Sequence, residues 1–249
     1  MQLIKDILNT SMTLHLYWVV LIAIAYIVVH QKRHSSSFAM LDIILNYIPV
    51  LTHEFGHILF NKISGGHTED LVIVTSRRER IETSRQGFAI TRARHRSTMI
   101  ITTLGGYMMP PIMLAVGLFA GYYHYPSLFV LSYTALFIYF VIITSRKGTP
   151  ILLTLLLALM IYGLIQNGQP EFIVIVLSIV YHFILGVLFG EVLQSTWTIA
   201  ILTFTRHIDW DGSALRRLTG IPVFVFSLLW IAFNIYIVYS IVNILLFQN

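Results

Sequence analysis

Residues 38–61 read FAMLDIILNYIPVLTHEFGHILFN, an apolar run broken only by a few polar side chains, among them Asp42, Asn46, His53, Glu54 and His57. Wound as a helix, 24 residues extend about 36 Å, enough to cross the ~30 Å hydrocarbon core of a bilayer. The same rule finds further apolar runs near 13–30, 98–121, 127–145, 149–166 and 221–247. Between the last two, 171–204 is almost uninterrupted apolar sequence. That piece is too long for one straight crossing, and Gly186 and Gly190 interrupt it before Glu191. It predicts a crossing over 171–190 and a broken, re-entrant or interfacial segment to about 205.

Composition agrees. Of 249 residues 57% are hydrophobic and 11% charged, less than half the charge that coats a soluble domain. The absence of cysteine excludes a disulfide-stapled secreted domain, and the apolar content excludes disorder. The expected fold is an all-α multi-pass membrane protein with about seven transmembrane helices and a small cytosolic-side β-hairpin loop. Residues 1–249 read as a single polytopic domain without repeats or flexible linkers. The first span is expected to be a retained helix, because Val28-Val29-His30 offers no small-residue cleavage site.

Seven alternating crossings divide Lys and Arg into two groups. Lys5, Lys62, Arg77, Arg78, Arg80, Arg85, Arg92, Arg94, Arg96, Arg146, Lys147, Arg206, Arg216 and Arg217 share one face, against Lys32 and Arg33 on the other. Because cytoplasmic loops are enriched in Lys and Arg, the N-terminus, the 62–97 loop and the 205–220 segment are expected in the cytosol. The net charge of +5 therefore reflects orientation, and no aromatic platform accompanies it to suggest nucleic-acid binding.

Within the opening run stands His53-Glu54-Phe55-Gly56-His57. On a helix the two histidines lie one turn apart on one face, where both imidazoles can reach one metal ion. Glu54 is offset, close enough to meet a metal-bound water without binding the metal. Zinc acidifies that water and the carboxylate takes its proton, the chemistry of a zinc hydrolase. Ionisable groups inside a bilayer are costly and mark function. Pro49 leaves the carbonyl of Leu45 without its helical donor and predicts a kink above the motif. Gly56 leaves room for a backbone to approach, and Asp42 and Asn46 read as interhelical hydrogen-bonding groups.

A catalytic zinc ordinarily takes three protein ligands and keeps one open position. Asp209 and Asp211, in His207-Ile208-Asp209-Trp210-Asp211-Gly212, and Glu191 are the candidates for the third. An H-E-x-x-H helix followed after several spans by an Asp-Gly motif near a later helix resembles the site-2 protease family of intramembrane zinc metalloproteases. Trp210-Asp211-Gly212 stands where that family commonly has Leu-Asp-Gly, and Ala214 to Pro222 resembles its bacterial branch without a PDZ domain. The resemblance implies that Asp211 is the third zinc ligand, with His53 and His57, and that Glu54 is the general base. It further implies a bacterial cell membrane and, as substrate, a transmembrane segment of another membrane protein.

In 62–97, Asp70–Thr75 and Gly87–Thr91 read as two strands around an Arg-rich turn, whose free edge could hold extended substrate backbone. A cytosolic loop touching anionic headgroups is the plainer alternative. Leu104-Gly105-Gly106-Tyr107 predicts close helix packing. Two other classes stay open at this point: a transporter or channel relaying protons or metal through His and Glu, and an inactive zinc-binding relative. Oligomeric state is not legible.

Overall fold

The computed structural model describes residues 12–167, 170–205 and 208–247, so Lys5, Arg206 and His207 fall outside it. Its helices are α1 (Leu16–Gln31), α2 (Ser36–Leu45), α3 (Tyr47–Ile63), α4 (Arg77–Thr83), α5 (Arg96–Tyr122), α6 (Pro126–Ile143), α7 (Gly148–Asn167), α8 (Pro170–Phe204), α9 (Asp211–Thr219) and α10 (Val223–Phe247). Strands β1 (His67–Ile73) and β2 (Gly87–Arg92) form the antiparallel hairpin. Among the described residues, α5, α6, α8 and α10 are each long and apolar enough to cross a membrane. The bent α2–α3 pair makes a fifth candidate, while α1 and the apolar part of α7 are shorter. The multi-pass helical class holds, with fewer full-length spans than seven.

The break expected above the motif lies at Asn46, where α2 and α3 meet at 46°. Pro49 explains it, because the chain has no N–H there to satisfy Leu45.

Helix α8 departs from expectation. It is one continuous helix of 35 residues, about 52 Å long, with no break at Gly186 or Gly190. Those glycines seat α1 instead: Gly186 lies against Val19 and Ile22, and Gly190 against Ala23 and Tyr26. Small residues in an apolar helix make a groove as readily as a hinge.

The order of these contacts shows that α1 and α8 run in the same direction. Helix α5 runs against α8, since Gly117 meets Leu185 and Gly121 meets Tyr181. Helix α3 runs against α5, with Gly56 at Gly105 and Asn61 hydrogen-bonded to Thr102 at 3.1 Å. Thus α1 and α3 point the same way, and the short α2, bent by 46° from α3, connects them. They are not two opposed crossings. The start of α1 and the base of the 62–97 segment consequently lie at opposite ends of the bundle, which corrects the shared face that simple alternation assigned them.

The hairpin is also more than a loop outside the bilayer. Its base meets the end of α3, where Asn61 Nδ2 donates to the Arg92 carbonyl at 3.3 Å. Its far end reaches back to the start of α3, with Gly87 against Val50 and Glu54, and Arg80 3.3 Å from Asp42. Leu71, Val72, Ile73 and Val74 are buried, and β-branched residues suit such a half-covered sheet. Register pairs Leu71 with Ala89 and Ile73 with Gly87, with an irregularity between Thr68 and Asp70. The Arg-rich turn contains α4, capped by Ser76 and closed by Ser84 in the left-handed region. The loop after α6 holds both parts of the hairpin: Ser145 ties to Asp70 on β1, and Arg146 pairs with Glu79 on α4 at 2.7 Å. The hydrogen bond from Arg146 holds the Glu79 carboxyl below its usual range.

A branched side chain at Gly186 would drive into Ile22 and the Val19 carbonyl. Overpacking of this kind costs about 1–3 kcal/mol, so Gly186→Val lowers the thermal midpoint in detergent. Gly163→Val, with no neighbouring atom within 4 Å among the described residues, leaves that midpoint unchanged.

Candidate metal centre

Helix α3 presents His53 and His57 one turn apart, with their Nε2 atoms 3.3 Å from each other. Helix α9 brings Asp211 to the same point, its Oδ2 3.5 Å from His53 Nε2 and 3.4 Å from His57 Nε2. These are the donors that converge on one point among the described residues. A tetrahedral zinc with bonds of about 2.1 Å requires donors about 3.4 Å apart, which is the spacing of this triangle. The residues therefore fit a zinc ion, two neutral imidazoles and one carboxylate leaving a fourth position open.

Each donor is held from behind. His57 Nδ1 lies 2.8 Å from the Thr102 carbonyl, which orients Nε2 toward the centre. The His53 ring stands edge-on to Tyr107, with centroids 4.8 Å apart. Gly106 leaves the space these imidazoles fill, since a Cβ there would collide with His57 Nε2 and lie 2.7 Å from His53 Nε2. The glycines of the 104–107 motif thus serve packing, as expected, and they pack the metal-binding helix itself.

Asp211 opens α9, whose first turn is stapled by Ser213: its hydroxyl donates to the Trp210 carbonyl at 2.7 Å and accepts from the Trp210 N–H at 3.0 Å. The Trp210 indole folds over Gly212 and joins Tyr107 and Trp230 in an aromatic cluster with centroid distances of 5.0–6.1 Å. Trp in place of Leu therefore still anchors this segment against α5 and α10. Burial pushes the Asp211 carboxyl up, but the positive charge that the facing imidazoles carry when protonated outweighs it and holds the group below the usual carboxylate range.

The other two candidates stand elsewhere. Asp209 is exposed and pairs with Arg217 at 2.6 Å, whose hydrogen bond keeps its carboxyl below the usual range. Glu191 borders the same cleft, but its carboxyl meets the Tyr26 hydroxyl, whose oxygen also lies 2.6 Å from Asn46 Oδ1. Asn46 continues to Asp42 at 2.5 Å, and Asp42 to His30 at 2.9 Å. Asp42 and Asn46 are the interhelical groups their residue types suggest. His182 receives a hydrogen bond from the backbone N–H of His15 at 2.9 Å, a structural role.

Glu54 sits between two cavities. One, of about 280 Å³, extends from His53 and Asp211 past Glu191 toward His30. The other, of about 340 Å³, is lined by His57, Asp211 and the β2 residues Gly87, Phe88, Ala89 and Thr91. Gly87 at the start of β2 lies against the Glu54 side chain, so strand and carboxylate adjoin. Thr102 and Tyr107 are neighbours that sequence reasoning did not single out. Thr102 acts through its backbone and leaves no side-chain signal, whereas Tyr107 adjoins the glycine pair.

Comparison with curated proteins and with solved structures gives no match. The model of the Peptidase M50B-like family matches residues 17–241, a span that holds both the His-Glu-x-x-His helix and the Trp-Asp-Gly turn. On that match over nearly the whole sequence, the chain belongs to the Peptidase M50B-like family, a site-2 protease family of membrane metallopeptidases.

Proposed function

We propose that the chain is an intramembrane zinc endopeptidase, one polytopic peptidase domain over residues 1–249, which cuts transmembrane segments or their remnants in other membrane proteins. The observation that carries this reading is the triangle of His53, His57 and Asp211, with sides of 3.3–3.5 Å, beside the buried Glu54. Zinc held there supplies Lewis acidity, which polarises a carbonyl and acidifies water. Glu54 accepts the water proton and returns it to the leaving amine, the ordinary work of a carboxylate set beside such a site. The β2 residues along the second cavity offer their backbone to an extended substrate, which matters because helical peptide bonds are shielded by their own hydrogen bonds. The substrate helix therefore unwinds before it is cut.

Lys62, Arg92, Arg94, Arg96, Arg146, Lys147, Arg216 and Arg217 gather at the end of the bundle that carries the site. The described residues at the other end, around 12–15 and 123–125, contain no Lys or Arg. Cytoplasmic loops carry the positive excess, so the site-bearing end faces the cytosol and the start of α1 the outside.

Two measurements test the proposal. Glu54→Gln retains zinc and fold yet loses about 10²–10⁴-fold in cleavage of a reconstituted transmembrane substrate, the range lost with a general base. Normal cleavage by that variant would refute the assigned base. Zinc content of the purified protein falls to background in Asp211→Ala but stays near stoichiometric in Asp209→Ala and Glu191→Ala. Loss of metal in Glu191→Ala alone would move the third ligand to Glu191.

A further inference from the structure

The hairpin tip carries a second cavity system, set apart from the metal centre. A cavity of about 330 Å³ lies between α4, the α1–α2 turn and α2, and is lined by Arg33, His34, Asp42, Arg77, Arg80 and Arg85 among others. Four arginines and one carboxylate thus line it, with Arg33 donating to the His30 carbonyl at 3.0 Å and Arg77 to the His34 carbonyl at 3.3 Å. That carboxylate is already committed: Asp42 meets Arg80 at 3.3 Å, His30 at 2.9 Å and Asn46 at 2.5 Å. Arg80 is the unusual member, since only 11% of its side chain is exposed. Its Nε donates to the Val74 carbonyl at 2.6 Å and its Nη1 to Asp42, but its Nη2 is buried with no hydrogen-bond partner among the described residues. A buried cationic donor without an acceptor costs free energy that a bound anion would offset.

The cavity is not isolated. Ser84, Arg85 and Gln86 line both it and the cleft that holds Glu54 and Asp211. Arg85 also borders the cavity along β2. An extended chain lying beside β2 and passing Glu54 would enter the Arg-lined cavity within a few residues.

We propose that this cavity binds carboxylate groups of the substrate, so that the peptidase selects an acidic residue flanking the bond to be cut. The assignment rests on the hydrolytic reading above only for the words substrate and cut; binding itself needs neither metal nor Glu54. Arginine suits the task because its planar fork pairs bidentately with carboxylate. The continuity with the catalytic cleft favours a substrate side chain over a lipid headgroup as occupant.

The test uses the full chain carrying Glu54→Gln, in nanodiscs of phosphatidylcholine, with fluorescent apolar peptides that contain one Gly/Ser-rich extended stretch. Both termini are blocked, and an acidic trio is placed at the N-terminal or C-terminal end of that stretch, or replaced by Gln and Asn. Fluorescence anisotropy should show one acidic peptide binding about tenfold more tightly than its neutral counterpart, as expected for one partly buried charge-assisted pair. Arg33→Gln and Arg85→Gln each reduce that preference, and Arg33→Gln, which lines only the Arg-rich cavity, leaves the neutral peptide's affinity unchanged. Neither variant touches the Arg80–Asp42 contact, so folding is preserved.

Equal affinities for all peptides, or no binding by any of them, would overturn the proposal. So would a preference that survives both Arg substitutions. If the two variants instead lower only retention on phosphatidylglycerol vesicles, the cavity is a headgroup site and the substrate assignment falls. A preference that holds while the chain with Glu54 intact cuts none of the peptides would count against the hydrolytic reading and leave the carboxylate site standing.

Discussion

Where α3 crosses α5, backbone meets backbone, and the rest of the site depends on that closeness. A Cβ on Gly56 would strike the Gly105 carbonyl, and one on Gly105 would lie 2.6 Å from the Gly56 carbonyl. Without hydrophobic driving force between helices in lipid, such contact relies on van der Waals packing, which small residues permit. The approach brings the Thr102 carbonyl to His57 and the Tyr107 ring to His53. Gly106 then leaves the volume in which the imidazoles converge. Spacing along α3 sets which side chains meet, but the crossing sets how rigidly they do so.

The second half of the site is assembled from far away in the chain. Asp211 arrives on a helix of nine residues whose start is fixed by Ser213 and by the edge-on contact of Trp210 with Tyr107 and its tilted contact with Trp230. Trp230 in turn donates to the Leu104 carbonyl at 3.3 Å, next to the glycine pair. Both halves of the donor triangle thus lean on the same turn of α5. This arrangement explains why a bulky aromatic residue can stand before the Asp-Gly pair, since it is the wedge that sets the carboxylate's height.

The His pair was legible because helical periodicity alone puts His53 and His57 on one face. Asp211 was legible only through its resemblance to a known motif, since nothing local ties residue 211 to residue 53. Hydropathy misread two features for physical reasons. Gly186 and Gly190 look like hinge residues in isolation, and only the presence of α1 turns them into a groove. Likewise, an apolar stretch carries no sign of its direction. The 10-residue α2 is too short to return the chain across the bundle before α3, and the alternation that assigned faces to the charges is lost. The hairpin strands were readable from their β-branched residues, but their return along α3 depends on Gly87, whose lack of a Cβ admits the strand beside Glu54.

Because the cleft extends to either side of Glu54, the two fragments of a chain cut in the proposed manner would come to rest against different surroundings. One would remain beside β2, the other toward Glu191 and His30. Each would have its own contacts to relinquish and its own way out. Turnover would then require two separate departures, and the slower of them could govern the pace of the enzyme even when bond breaking is fast.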